Sequence, residues 1–165
     1  RKGDAEAYHR LVLRLRSAVP DIRIRSTFMV GYPGESDEDF EQLAGFIEEE
    51  MLDRVGAFTY SPEEGTRAWE LNDPVPDEVK QERYHRLMAL QQEISARKLT
   101  AMTGSVVPVL VEERIDEATW AGRSIYDAPE VDGIFYLTAR DVQINSIVKA
   151  RVTGSTEYDL IGELL

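Results

Sequence analysis

The strongest constraint on the fold is a change of rhythm at Gly104. Before it, apolar residues recur at helical spacing between short apolar runs. After it, strand-like runs follow one another with turn residues between them. In the first part, Tyr8, Leu11, Val12, Leu15 and Val19 fall at steps of three and four and predict a helix over 4–18, with Asp4 as N-cap and Pro20 as its stop. Residues 22–30 read as a strand that alternates at first and becomes more continuously apolar, as a buried parallel strand does. Gly31-Tyr32-Pro33-Gly34-Glu35 breaks it. Ser36-Asp37-Glu38-Asp39 resembles a capping box opening a helix over 37–51, with acidic residues in its positive first turn. A second strand over 54–60, a polar loop over 61–76 with three prolines and a long helix over 77–102 follow, and Gly104 ends that helix. Helix and strand in alternation with short connections predict a parallel sheet or barrel. Beyond Gly104, runs at 106–111, 120–124, 133–137, 147–152 and 159–164 predict a small five-stranded antiparallel barrel. The fold class is therefore α/β followed by all-β.

Composition narrows what such a chain does. The 165 residues are 42% hydrophobic and 30% charged, as in a soluble globular protein, and no apolar run approaches the roughly 18 residues of a membrane span. The chain opens Arg1-Lys2-Gly3-Asp4 without a signal sequence and has no cysteine. Disulfides and thiolate metal sites are excluded within it, and a cytoplasmic location is expected. His9 and His85, in helical contexts without ligand spacing, read as surface residues. The net charge is −12: 14 basic and 20 acidic residues precede Gly104, and 5 basic and 11 acidic follow, so each part carries −6. That balance argues against direct binding to a nucleic-acid backbone and suits a basic protein partner, or simply keeps the chain in solution.

Parallel βα units hold ligands beyond the C-terminal ends of their strands. Two segments fall there, 25–35 and 58–66. In the first, Gly31 and Gly34 let backbone amides approach a ligand, and a helix N-terminus follows. Arg25 suits a carboxylate and Thr27 a hydroxyl. The same residues also read as a tight turn beside a surface arginine, and Gly-Tyr-Pro-Gly is no phosphate-loop or dinucleotide fingerprint. In the second, Gly65-Thr66 after Pro62 reads as a shaped loop or as a plain connection. Glu63-Glu64 reads as a solvated pair, and no residue stands out as a general acid or base, so no catalytic residue is assigned.

At these two segments the sequence resembles a known family. Residues 25–36 (RSTFMVGYPGES) and 53–66 (DRVGAFTYSPEEGT) resemble the methylthiotransferases of the radical S-adenosylmethionine superfamily. Residues 76–83 and 87–95 resemble that family's connecting helix, and the all-β tail resembles its TRAM domain. The resemblance implies residues 1–75 as the C-terminal part of a radical S-adenosylmethionine barrel, 76–103 as the connecting helix and 104–165 as a TRAM domain. It implies S-adenosylmethionine as cofactor, with Arg25 and Thr27 on its polar groups, Gly31 and Pro33 shaping the pocket wall, and Phe58, Thr59 and Tyr60 near its adenine. It also implies two four-iron clusters in the full-length enzyme. Their cysteines are absent here, so the resemblance implies a fragment without turnover of its own and with no metal ligands.

Within the family, one branch modifies transfer RNA adenosine and the other an aspartate of small-subunit ribosomal protein twelve. Thr27, the stretch 126–133 (YDAPEVDG) and the stretch 157–160 (EYDL) resemble the protein-modifying branch, as does the acidic tail. That resemblance implies the ribosomal protein as partner, recognised by the TRAM domain, and no membrane. The alternatives are the transfer RNA branch and a non-enzymatic binding module.

Overall fold

The computed structural model describes residues 5–71 and 74–165. Asp4, expected as a helix cap, lies outside the described residues. The chain divides into two compact units, Arg1–Ile94 and Ser95–Leu165.

The first unit runs α1 (Ala5–Ala18), β1 (Arg25–Val30), α2 (Asp37–Glu50), β2 (Arg54–Thr59) and most of α3 (Asp77–Thr100). β1 and β2 pair in parallel, from Arg25 opposite Arg54 to Val30 opposite Thr59. One face of this ribbon is packed: Val30 and Val55 join Val12, Phe40, Ile47, Leu52, Leu87 and Ile94 in one apolar core, with Phe28 and Ala57 against it. The expected capping box is present. The Ser36 hydroxyl accepts from Asp39 N–H at 3.2 Å, and the Asp39 carboxylate accepts from Ser36 N–H at 2.9 Å. α2 ends at Met51 in the left-handed region (φ 46°), with its N–H on the Ile47 carbonyl.

Two buried carboxylates tie the elements of this unit together. Glu50 is paired with His9 and Arg16 of α1, so His9 is no free surface residue. Asp53 accepts from the Ile24 N–H at 2.9 Å and from Arg23 at 3.1 Å. A carboxylate at either place would be costly to bury without these partners.

The second unit holds the last turns of α3 and a closed barrel, β3 (Val106–Arg114), β4 (Thr119–Ser124), β5 (Phe135–Thr138), β6 (Ile147–Ser155) and β7 (Leu160–Leu164), in the order β3-β4-β5-β7-β6. The pairings are antiparallel except β5 with β7, which is parallel because β6 lies between them in sequence but beyond β7 in the barrel. Alternate residues point inward: Val107, Val109, Val111, Trp120, Phe135, Leu137, Val152 and Leu160 fill the interior. Leu99 of α3 joins this core, whereas Leu87 and Ile94 belong to the first, so the long helix shares its apolar side chains between two cores. Gly122 and Gly162 are required by close approach. A Cβ at Gly122 would stand 2.3 Å from the Leu110 carbonyl oxygen, and one at Gly162 2.4 Å from that of Arg151 and 2.5 Å from the Phe135 ring. Among the described residues no helix is long and apolar enough to cross a membrane.

Candidate functional site

β1 runs out into a turn whose shape follows from its sequence. Gly31 adopts φ +75°, which a side chain disfavours. Pro33 and Gly34 then sit at the centre of a turn closed by Glu35 N–H on the Tyr32 carbonyl at 2.9 Å, with Gly34 at φ +82°. Proline followed by a positive-φ glycine is what a type II turn demands. The turn is held from behind: Glu35 folds back so that its Oε1 accepts from Gly31 N–H at 2.9 Å. Arg83 of α3 donates to the same Oε1 at 2.7 Å, to the Glu35 carbonyl at 3.2 Å and to Asp37 Oδ1 at 2.7 Å. Arg83 is only 5% exposed. Burial works against its charge, but the hydrogen bonds it donates to Asp37 and Glu35 outweigh it and hold the guanidinium above its ordinary pKa. One turn earlier on α3, the Lys80 stem packs on Gly31, where a Cβ would come within 2.3 Å of Lys80 Cγ.

β2 ends beside this turn. Tyr60 N–H donates to the Val30 carbonyl at 2.8 Å, and its ring meets Tyr32 edge-on with centroids 5.4 Å apart. The Tyr60 hydroxyl is buried and makes no hydrogen bond among the described residues. Lys80 Nζ lies 5.9 Å from the Tyr60 ring centre.

The register distributes the sequence-derived residues over two faces. Thr27 stands opposite Gly56 and Met29 opposite Phe58, so Arg25, Thr27, Met29 and Phe58 share the face away from the core. Met29 and Phe58 are 41% and 46% exposed, high values for large apolar residues on a sheet. Thr59, opposite Val30, projects to the packed face. Gly31 and Pro33 lie in the turn past the strand end, and Tyr60 lies against it. Arg25 and Thr27 also border an apolar cleft of about 650 Å³ along the free edge of β1, walled by Tyr8 and Leu11 of α1 and by Leu43 and Phe46 of α2. Phe58, Thr59 and Tyr60 do not line that cleft. Met29 was legible as the third member of the alternation that contains Arg25 and Thr27. Arg83 carried no local signal, since its partners lie 46 and 48 residues away.

The uncovered face offers a guanidinium, a hydroxyl, a thioether and an aromatic ring. Gly56 lies directly beside Thr27: a Cβ there would stand in ordinary contact with Thr27 Oγ1, at 3.6 Å. This set of groups suits a polar ligand with an apolar part and contains no general acid or base. Among the described residues no group of His, Asp and Glu is arranged to hold a metal ion, and the chain has no cysteine.

Comparison with known proteins accords with both units. Residues 103–165 match the TRAM domain family model, and the closed barrel is a TRAM domain. Over the whole chain the sequence is 49% identical to the "Ribosomal protein uS12 methylthiotransferase RimO" of Proteus mirabilis (strain HI4320), covering 37% of that protein. Over 98% of the chain it is 50% identical to the protein of the same name from Cellvibrio japonicus (strain Ueda107), covering 36% of it. Over 94% of the chain it is 48% identical to the one from Syntrophotalea carbinolica, covering 34% of it. The chain belongs to this RimO family, and it spans a little over a third of the length of these curated relatives.

Proposed function

We propose that this chain is the part of a ribosomal protein uS12 methylthiotransferase that supplies one wall of the S-adenosylmethionine site and the domain that recognises uS12. The observation that carries the first half is the uncovered face of β1 and β2, which lines up Arg25 at the start of β1, Thr27 and Met29 along it and Phe58 near the end of β2, leading to the Gly31–Glu35 turn. Ligands of parallel βα units sit beyond the C-terminal strand ends, where this face meets that turn.

The residues fit S-adenosylmethionine by chemistry. Arg25 pairs with the carboxylate of its methionyl part, Thr27 hydrogen-bonds a hydroxyl, and Met29 and Phe58 cover its apolar surface and adenine. Gly31 and Pro33 shape the wall, and the buried Tyr60 hydroxyl is a free donor at the edge of the turn. Thr59 acts from the packed face, by supporting the strand. When bound, S-adenosylmethionine would supply the hydrogen-abstracting chemistry of the superfamily, and these residues would hold and orient it. The clusters need thiolates that this chain does not contain, so the chain alone performs no turnover. The barrel carries 5 basic and 11 acidic residues from Gly104 on, which favours a basic protein over an RNA backbone as its partner.

Two experiments test the reading. In the full-length protein, Arg25→Ala is expected to weaken S-adenosylmethionine binding by about tenfold or more, a typical loss for a charge-assisted pair, with unchanged cluster content. Unchanged affinity by calorimetry sinks the assignment. Mass spectrometry of uS12 from cells with and without the full-length gene is expected to show the methylthio mass lost with the gene. If that mass persists while methylthiolated adenosine leaves transfer RNA, the substrate is RNA.

A further inference from the structure

We infer that Arg83, on a helix outside the proposed ligand-facing wall, is a positioning residue for the Gly31–Glu35 turn. It sets the backbone that meets the cofactor without touching the cofactor itself. The inference rests on the S-adenosylmethionine reading above and adds a residue that the strand face does not contain.

The geometry is a relay of three groups. Arg83 donates twice to Glu35, once to its side chain and once to its carbonyl, and once more to Asp37 at the start of α2. The same Glu35 oxygen that takes Arg83 also takes the Gly31 N–H. Gly31 is the point where the chain leaves β1, and its positive φ fixes the direction of everything from Tyr32 to Gly34. A guanidinium donates from two nitrogens in a fixed plane, so Nη1 holds the Glu35 carboxylate, and through it the Gly31 end of the turn, while Nη2 holds Asp37 just past the other end. An ammonium is a point charge on a flexible stem and fixes only one of them. The Glu35 side chain is 13% exposed and that of Asp37 95%, so the contact to Glu35 is the shielded, stronger one. Lys80 presses its stem on Gly31 from the same helix face, which leaves the turn no room to relax backward.

The test uses the full-length protein with Arg83→Lys and, as a second variant, Glu35→Ala. Glu35→Ala breaks the relay at a less buried residue, and so serves if the lysine variant does not fold. Two quantities are read: S-adenosylmethionine affinity by calorimetry, and amide hydrogen exchange of peptides covering residues 30–36 against peptides from α2 and the barrel. The expected result is a roughly tenfold or greater weakening of affinity in both variants. Exchange should speed up at residues 30–36 and stay unchanged in the barrel. Faster exchange in the turn with unchanged affinity overturns the positioning role and leaves the cofactor reading standing. Unchanged exchange in the turn overturns the relay itself. If the unsubstituted protein does not bind S-adenosylmethionine, the cofactor reading fails and takes the inference with it. A fall in melting temperature alone, with affinity retained, marks Arg83 as structural only.

Discussion

The two units solve the same problem in opposite ways. In the barrel every strand has a neighbour on both sides, the ladder closes between β3 and β6, and the large inward residues Phe135 and Leu137 are fully buried. In the first unit β1 and β2 have only each other among the described residues, and one face of the pair leaves Met29 and Phe58 in the open. A closed barrel satisfies its own backbone, whereas a two-stranded ribbon presents edges that invite further pairing. The difference separates a unit closed on itself from one that leaves a face and an edge of its ribbon uncovered among the described residues.

The sharpest way to break this comparison is to separate the units. Residues 95–165 are expected to fold alone with one cooperative thermal transition by circular dichroism and to sediment as a monomer. Residues 5–94 are expected to associate or melt without a cooperative transition. A monomeric, cooperatively folding 5–94 piece would show that the open ribbon needs no cover.

The next largest effect sets one glycine of each unit against the other. Gly162→Ala places a methyl group against the Arg151 carbonyl and the Phe135 ring, and is expected to cost the barrel about 1–3 kcal/mol, as overpacking does. Gly45→Ala lies in the interior of α2 with nothing within 4 Å of its new Cβ, and is expected to stabilise the first unit by about 0.5–1 kcal/mol through helix propensity. Urea denaturation followed by a probe in each unit reads both. Equal signs at the two positions would mean that the barrel tolerates a shift between β6 and β7 that its packing denies.

Most of the fold was legible because its signals are local. The helical stripes, the capping box at Ser36 and the strand runs beyond Gly104 each depend on neighbours within a few residues. The strand starts were less so. β1 was expected from residue 22 but begins at Arg25, because Ile24 spends its N–H on the Asp53 side chain. The third barrel strand was expected from residue 133 but begins at Phe135, because the Ile134 N–H goes to the Asp159 carboxylate at 2.8 Å and Gly133 is wedged against the Tyr158 carbonyl. Both are side chains, 25 or more residues away, standing in for a ladder. The parallel β5–β7 pairing was hidden for the same reason, since no run of residues states which distant strand it will lie beside. The site divides likewise. Alternation along β1 places Arg25 and Thr27 on one face, but the Arg83 relay depends on two segments meeting that the sequence keeps nearly fifty residues apart.

The smallest effect concerns two exposed carboxylates that each close a local turn, one per unit. Asp116 accepts from the N–H groups of Ala118 and Thr119, both at 2.8 Å, and these bonds hold its pKa below the ordinary value. Asp39 is held below its ordinary value by the Ser36 hydroxyl and the Ser36 N–H. In both, the folded state prefers the ionised form more strongly than the unfolded chain does. Each therefore contributes its stability above the unfolded carboxylate pKa of about 3.9, and loses it as pH falls through the lower folded value. Neither makes stability depend on pH between about 5 and 8, where both contributions are fully present. The expected result is an acid limb that softens only below about pH 4, with Asp116→Asn flattening it in the barrel transition alone and Asp39→Asn in the transition of the first unit alone. Asparagine keeps an acceptor oxygen at each turn, so the folded geometry survives while the titration is removed. Were either substitution to change the acid limb of both transitions together, the two units would be unfolding as one, and the contrast between a closed barrel and an open ribbon would not extend to their stability.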